Sequence, residues 1–576
     1  MSNLSRRDFL KGIAAGTLSL GLLGTVPAMA ETPITETISS SASWREKPAA
    51  IPEESITAEY STDVCVIGLG HAGATCATQV ALSGKTVIAI EKQSAESFRT
   101  TGNDFGHINS KISESLGGGS GYDPVEFMNN WMLNANNAAN PVLAMKFAQN
   151  CGEAIDWWND MADGQTNPRL VFEGPNEERP HIQTESGPFH FYCSSVNFDD
   201  TLSIKSAAEK IAAINADNTF MFGYSGAQLV QAEDGSVTGV IAKNEATGEY
   251  IRINASAVVV AAGGFGGNEE MCNDLLVDMK DALQPNDMYR MMGSMGMDRD
   301  GSGIQMLVWA GAHLEPNPAT MDGRASWQTS SPALVPMLSH PQGIHLDYTG
   351  RRFYNEYWGP IELRSRPLMT RNRDVFYAVF DDKLPEYMPY VTASHGTTNP
   401  TAAKLEEVRN LMDAAYAVKG TGYYNETSKS TWYAGDSIEE IVEAMQLDGK
   451  VAANIIASVA KWNESCAAGA DKELGREEKY LFPIEQAPFY IEVNENNIMM
   501  GNFLVTLGGV YVDGDQRVLG PDWYPIKGLF ASGNCTGGRF GWDYFSPCYG
   551  VSVGIAATLG RECGKSVIEY LNGELV

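Results

Sequence analysis

The chain of 576 residues is predicted to be an α/β protein in which a Rossmann-like nucleotide-binding domain is split in sequence around an α+β insertion. Three observations predict this. Residues 62–92 run through an apolar strand, a glycine-rich turn, a helix and a second apolar strand. From about Ser294 to Leu504 the pattern changes to helices broken by aromatic-rich loops. The end of the chain returns to strand-like Val505–Val512 and a closing helix from about Val551, so the two outer parts read as one fold.

In chain order, Ser5-Arg6-Arg7-Asp8-Phe9-Leu10-Lys11, a modest apolar run from Gly12 to Val26 and Ala28-Met29-Ala30 read as a twin-arginine export leader with a small-residue cleavage site. The mature chain is expected to start at Glu31, in the periplasm or on the outer face of the cytoplasmic membrane. The alternative is a weak membrane anchor, for which the run is short. No other stretch is long and apolar enough to span a bilayer. Loss of Arg6, Arg7, Lys11 and Asp8 with the leader takes the net charge from −30 to −32. Such acidity argues against a nucleic-acid partner, keeps an exported protein soluble and would steer a basic electron carrier.

Residues 31–60, rich in Ser, Thr, Pro and Glu, read as an exposed linker. The organising motif follows. Asp63–Ile67 is a strand, Gly68, Gly70 and Gly73 form a G-x-G-x-x-G turn holding His71 and Ala72, and Thr86–Ile90 is a strand ending at Glu91 and Lys92. The first glycine permits the turn, the second lets the backbone approach a pyrophosphate, and the third lets helix and strand close on each other. Glu91 stands where a carboxylate accepts from ribose hydroxyls. The motif alone leaves NAD and FAD open.

Cys151–Met161 has helical spacing with two tryptophans and reads as core first, cofactor contact second. Phe220–Phe222, Ala227–Gln231, Val237–Ala242 and Tyr250–Asn254 alternate as a β-ribbon. Ser437-Ile438-Glu439-Glu440 is a capping box opening a helix. None of the nine cysteines forms C-x-x-C, which argues against an attached c-type haem or a ferredoxin-like cluster. Cys65 and Cys76 read as small buried residues, and the histidines show no metal-binding spacing. The expected limits are a leader at 1–30, a linker at 31–60, the nucleotide domain at 61–293 and 505–576, and the insertion at 294–504.

Three further segments carry a resemblance. RTTGNDFGHINS (Arg99–Ser110), AVVVAAGGFGGNEEM (Ala257–Met271) and GLFASGNCTGG (Gly528–Gly538) resemble, with the glycine turn and in the same order, the FAD contacts of the fumarate reductase and 3-ketosteroid dehydrogenase flavoprotein family. The resemblance implies FAD, with Thr101, Gly102 and Asn103, then Ala262, Gly263 and Gly264, then Gly533 and Asn534 as contacts. It places the stretch Gln228–Val230, with Gln228 and Leu229 as contacts, at the adenine through backbone groups, and Asn534 at a ribityl hydroxyl. A helix starting at Gly550 and Val551 would point its N-terminus at the flavin pyrimidine. The family's attachment histidine has no counterpart in Arg99–Phe105, so FAD is expected to be non-covalent. The insertion resembles the family's capping domain.

The fumarate-binding groups of the family are replaced. Val505 stands for one clamp histidine, Tyr544 for the clamp arginine and Pro360 for the proton-donor arginine, although a local shift brings Arg364 there; the other histidine's place falls near Gly296. Fumarate is therefore not the expected substrate. Tyr544 aligns with a tyrosine that polarises a substrate carbonyl in the steroid dehydrogenases, and Tyr354, Tyr357 and Trp358 follow the Gly350–Phe353 turn where relatives place an acid or base. A phenol can protonate a carbanion-like carbon or stabilise an enolate oxygen, and it can equally be a packing group at a domain seam. Tyr544, Tyr357 and Arg364 are the catalytic candidates. His107 sits in a flavin-contact segment, facing the ring or the cap.

The resemblance implies an exported FAD-dependent oxidoreductase that places hydride from flavin N5 on an activated C=C bond, an enone or enoate, with electrons from a separate donor such as a cytochrome. Two alternatives stay open: a dehydrogenase desaturating a steroid-like ketone, and a non-catalytic electron-transfer flavoprotein.

Overall fold

The computed structural model describes residues 43–100, 102–171, 174, 181, 184–186, 189–276, 299–316, 318, 320–322, 343–357, 377–390, 402–425, 430–493, 503–541 and 544–575. Its main sheet has eight strands and draws on both ends of the chain. Along the main path the order is Arg517–Leu519, Pro525–Ala531, Tyr250–Val260, Ile56–Ile67, Val87–Glu91 and Thr219–Phe222. Strand Ile56–Ile67 pairs in parallel with Tyr250–Val260 on one side and with Val87–Glu91 on the other, while Pro525–Ala531 extends the parallel run. The nucleotide fold is thus split in sequence, as expected.

The apolar run Val64–Ile67 is continuous because both faces are covered. Cys65 and Ile67 enter one core with Val258 and Val260, and Val64 and Val66 enter another with Val87 and Val259. The second core includes helix His71–Leu82, which packs closely on the closing helix Val551–Leu571. Cys65 and Cys76 are both buried, one in each core.

Three details differ from the sequence reading. The first strand begins at Ile56, and the stretch before it is not a free linker. Trp44 is buried: its indole N–H donates to Asp274 Oδ2 at 3.1 Å, and its carbonyl accepts from the indole of Trp309 at 2.9 Å. A large aromatic in a polar segment finds apolar cover wherever the fold offers it. Second, Phe220–Phe222 leaves the expected ribbon. It follows helix Asp200–Ile214 and pairs in parallel with Val87–Glu91 at the sheet edge. The ribbon itself is Tyr224–Gln231, Val237–Asn244 and the first half of Tyr250–Val260, all antiparallel. Third, the tryptophan-bearing helix runs Pro141–Asp160, with Trp158 fully buried and in core contact.

A second sheet has five antiparallel strands, in the order Ile344–Leu346, Tyr377–Asp381, Phe489–Val493, Ser430–Gly435, Tyr423–Asn425. Helix Gly449–Ala467 lays Ile455, Val459 and Trp462 on it. Helix Ile438–Ala444 starts as expected at Ser437, whose hydroxyl accepts from Glu440 N at 3.2 Å; the Glu440 carboxylate reaches one residue further back, to Asp436 N at 2.8 Å. No helix among the described residues is long and apolar enough to cross a membrane.

Candidate active site

A cleft of about 600 Å³ opens at the carboxyl ends of the parallel strands, where Ile67, Glu91 and Ala261 end their runs. Gly68 and Gly70 line its floor. Gly68 holds φ +96°, and a Cβ on Gly73 would lie 1.8 Å from the Gly68 carbonyl oxygen, so the turn closes only with glycine. A Cβ on Gly70 would meet nothing within 4 Å, because that face looks into the cleft. Gly70 caps helix His71–Leu82 without any side-chain bond, which leaves the first-turn amides to an anion.

Glu91 is buried and braces this turn: Oε2 accepts from Leu69 N at 3.0 Å and Oε1 from Gln93 N at 2.9 Å. Lys92 stands at the mouth, its ammonium 2.6 Å from Asp300 Oδ2. His71 and Ala72 join the wall, and the His71 Nδ1 lies 2.7 Å from Oδ2 of Asp200, a fully buried acid that also accepts from the Trp158 indole. The lining continues through Ala262, Gly263 and Gly264 with Gly533, Asn534 and Val505.

The closing helix enters beside them. Gly550 and Val551 form its start, with Gly550 in the left-handed region at φ 66°, but Ser552 and Val553 are the residues on the wall. Gly102 and Asn103 stand behind it, Gly102 against Val553 and Asn103 holding the Phe198 and Asp200 amides through its two oxygens.

Several placements depart from expectation. The cleft is lined by Tyr224, Ser225 and Gly226 rather than Gln228 and Leu229. The Gln228 side chain is engaged by the chain's own amino-terminal stretch, accepting from Ile51 N at 3.0 Å and donating to the Ala49 carbonyl at 2.7 Å. Leu229 lies with Lys47 and Trp309 in a separate small recess.

Tyr357 is another departure, and its surroundings are those of a packing group. Its hydroxyl donates to the Tyr390 carbonyl at 3.0 Å, its ring stacks on Tyr480 with centroids 4.0 Å apart, and the Arg476 guanidinium lies 5.0 Å above it. Tyr544 is buried against Phe540, with its hydroxyl 3.5 Å from Ser546 Oγ, and is not on the described wall. Tyr354 bonds His345 Nδ1 at 2.5 Å. Thr101, Gly296, Trp358, Pro360 and Arg364 lie outside the described residues.

His107 is not on the cleft wall. It is fully buried between the Phe105 carbonyl at 2.8 Å and Ser110 Oγ at 2.6 Å, and burial pushes it down to about 4, so it is a neutral pin for its loop. Among the described residues no group of three His, Cys, Asp or Glu side chains could hold a metal.

Besides Asp200, sequence reasoning passed over Glu315 and Arg539, two further buried charged residues near the wall. Glu315 accepts from Gly538 N at 3.1 Å and is raised by burial to about 7. Arg539 donates to Asn534 Oδ1 at 3.2 Å, just behind the wall. The available signal was an arginine directly after Gly537-Gly538 in an otherwise apolar run.

The cleft fits FAD. The Gly70 face is open, the helix amides await an anion, and Asn534 and the start of the closing helix line the same cleft. Bound here, FAD supplies hydride chemistry. The comparisons agree. The sequence profile of the FAD binding domain matches residues 63–547. The chain is 24% identical over 538 residues to vinyl phenol reductase of Lactiplantibacillus plantarum, covering 90% of this chain and 98% of that one. It is 24% identical over 532 residues to urocanate reductase of Eggerthella lenta, covering 91% and 78%. Among solved structures it superposes on the 3-ketosteroid-Δ4-(5α)-dehydrogenase of Rhodococcus jostii RHA1 with a TM-score of 0.61 at 19% identity, covering 88% of this chain and 97% of that one. By its glycine turn, its split parallel sheet and the match over most of its length, the chain belongs to the FAD-binding-domain family, as an FAD-dependent oxidoreductase.

Proposed function

We propose that this enzyme is exported and works as a reductase: it saturates the activated C=C bond of an enone or enoate, in a neutral or aromatic substrate, with electrons from a separate donor protein. The observation that carries the hydride chemistry is the start of the 21-residue helix Val551–Leu571 on the cleft wall, and the direction is taken from the reductase relatives. The helix start's partial positive charge and uncapped amides favour the more negative, reduced cofactor. Val505 on that wall, in place of a clamp histidine, favours a substrate without a second carboxylate. The names of the two reductase relatives support a conjugated aromatic or heteroaromatic compound.

Tyr544 is proposed to hydrogen-bond the substrate carbonyl and Arg364 to protonate the neighbouring carbon; Tyr357 is left out because its hydroxyl is already bonded to Tyr390. Residues 1–30 are proposed as a twin-arginine leader, residues 294–504 as the cap, and the acidity of the mature chain as the attraction for a basic cytochrome or another quinol-linked donor.

The test is anaerobic reoxidation of the viologen-reduced, FAD-loaded protein, followed at the flavin absorbance, against enones, cinnamate-like acids, steroids and fumarate. One class of conjugated alkene is expected to reoxidise it rapidly, and Tyr544→Phe to slow that step by roughly 10²-fold or more. If no alkene acts while a saturated ketone bleaches the oxidised flavin, the enzyme is a dehydrogenase and the proposal is wrong.

A further inference from the structure

Arg539 is 2% exposed, and its guanidinium is held by neutral oxygens alone. Nε donates to the Thr536 carbonyl at 3.3 Å, and Nη2 donates to the Leu507 carbonyl at 3.1 Å and to Asn534 Oδ1 at 3.2 Å. The Phe540 ring lies 5.5 Å away. Nη1 bonds to no described residue, and no described carboxylate comes within ion-pair distance. Glu315 is the acid whose charge reaches Arg539, but it is spent on Gly538 N. A buried guanidinium with no anion against it is costly, and a chain that keeps one has a use for the charge.

The position of this charge indicates its use. Leu507 is two residues from Val505, and Asn534 is itself on the cleft wall, so Arg539 ties together the two segments that form that wall. Because Asn534 turns its carbonyl oxygen toward Arg539, its amide N–H groups are left for the cleft, and they bond to no described residue. The first turn of helix Val551–Leu571 is on the same wall.

We propose that Arg539 is a positioning residue for the redox end of the cofactor: it fixes Asn534 as a hydrogen-bond donor and adds a permanent positive charge behind the wall, so that reduced FAD is held more tightly than oxidised FAD. Reduction adds two electrons and, at neutral pH, one proton, leaving the flavin one unit more negative. A fixed cation and a donor amide favour that form over the oxidised one. Arg539 and the helix terminus then act in the same sense and raise the midpoint potential together.

The test is a dye-equilibrated midpoint titration of the bound FAD in the holoenzyme and in Arg539→Met, Arg539→Lys and Asn534→Asp, with the dissociation constant of oxidised FAD read from flavin fluorescence. Arg539→Met is expected to lower the potential, equivalent to about tenfold weaker binding of reduced relative to oxidised FAD. Arg539→Lys keeps part of the effect. Asn534→Asp, nearly isosteric, neutralises Arg539 in place and lowers the potential too. If Arg539→Met fails to fold, Asn534→Asp decides. A potential unchanged in the variants that retain FAD overturns the proposal, since a residue that merely packs would alter stability and leave the potential where it was.

Discussion

Two of the regions in which this chain buries arginines treat them in opposite ways. Beside the five-stranded sheet, Arg352 and Arg476 are answered by acids: Arg352 Nη2 reaches Glu356 Oε2 at 2.9 Å and Asp471 Oδ2 at 3.1 Å, and Arg476 Nη2 reaches the same Glu356 oxygen at 2.5 Å. Both guanidinium groups also lie over the Trp462 ring, at 4.7 and 4.4 Å. Behind the cleft, Arg539 has carbonyls and one amide, and the nearby acid Glu315 is turned elsewhere. Burial would raise both glutamates; for Glu356 the charges of Arg352 and Arg476 more than reverse this and hold it well below the usual carboxylate range, whereas Glu315 stays raised, at about 7. The matched buried cluster ties strand Ile344–Leu346, through His345 N, to the loops that carry these charges and to Trp462 of helix Gly449–Ala467. An unmatched one next to a ligand cleft leaves its charge available to whatever binds there.

The sharpest way to break this contrast is Glu356→Gln, which leaves two buried guanidinium groups short of their shared anion. It is expected to cost about 3–5 kcal/mol in denaturant unfolding of the holoenzyme. A loss below about 1 kcal/mol would mean the network is not the keystone of its sheet.

The next effect is a dependence on pH. With its carboxyl raised from 4.5 to about 7, Glu315 gives the folded state more bound proton than the unfolded state across that window. Its contribution is therefore complete below pH 4.5 and lost as pH rises through about 7, roughly 3 kcal/mol in all. Glu315→Gln should remove this alkaline loss while leaving the pH 4–5 stability nearly unchanged, as read from thermal unfolding at pH 5 and 8.5. A wild-type profile flat over this range would refute it.

Smaller still is Tyr357→Phe, which deletes one buried hydroxyl bond and should cost about 1 kcal/mol. Slowed alkene-driven reoxidation at unchanged stability would instead return this tyrosine to the chemistry. Least of all is Asp300→Asn, which removes the half-exposed partner of Lys92 and should cost under about 1 kcal/mol, an effect that vanishes in salt.

The glycine turn was legible because everything that defines it is local. The positive φ of Gly68, the contact between Gly73 and the Gly68 carbonyl, and the brace from Glu91 all fall within 24 residues. The ribbon was legible as strands, but not in the part that faces the cofactor. The cleft lining falls at Tyr224–Gly226, while the Gln228 side chain is taken up by the stretch 49–51, an association across nearly 180 residues with no sequence pattern. Tyr357 carried the same ambiguity. An aromatic beside Gly350–Phe353 suits a site or a core, and only Tyr390, Arg476 and Tyr480, each more than 30 residues away, show which.

What the sequence determined by itself, then, was the class of fold, the dinucleotide turn, the return of the chain to its first sheet and, through four ordered motifs, the cofactor. These rest on periodicity, backbone sterics and short-range hydrogen bonding, all of which neighbouring residues dictate. Tertiary structure alone decided which buried charges are matched, which tyrosine hydroxyls are already bonded and which residues face the cleft. The physical reason is that electrostatic pairing and desolvation depend on distances through space, between residues such as Arg352 and Asp471 or Leu507 and Arg539 that the chain order keeps far apart.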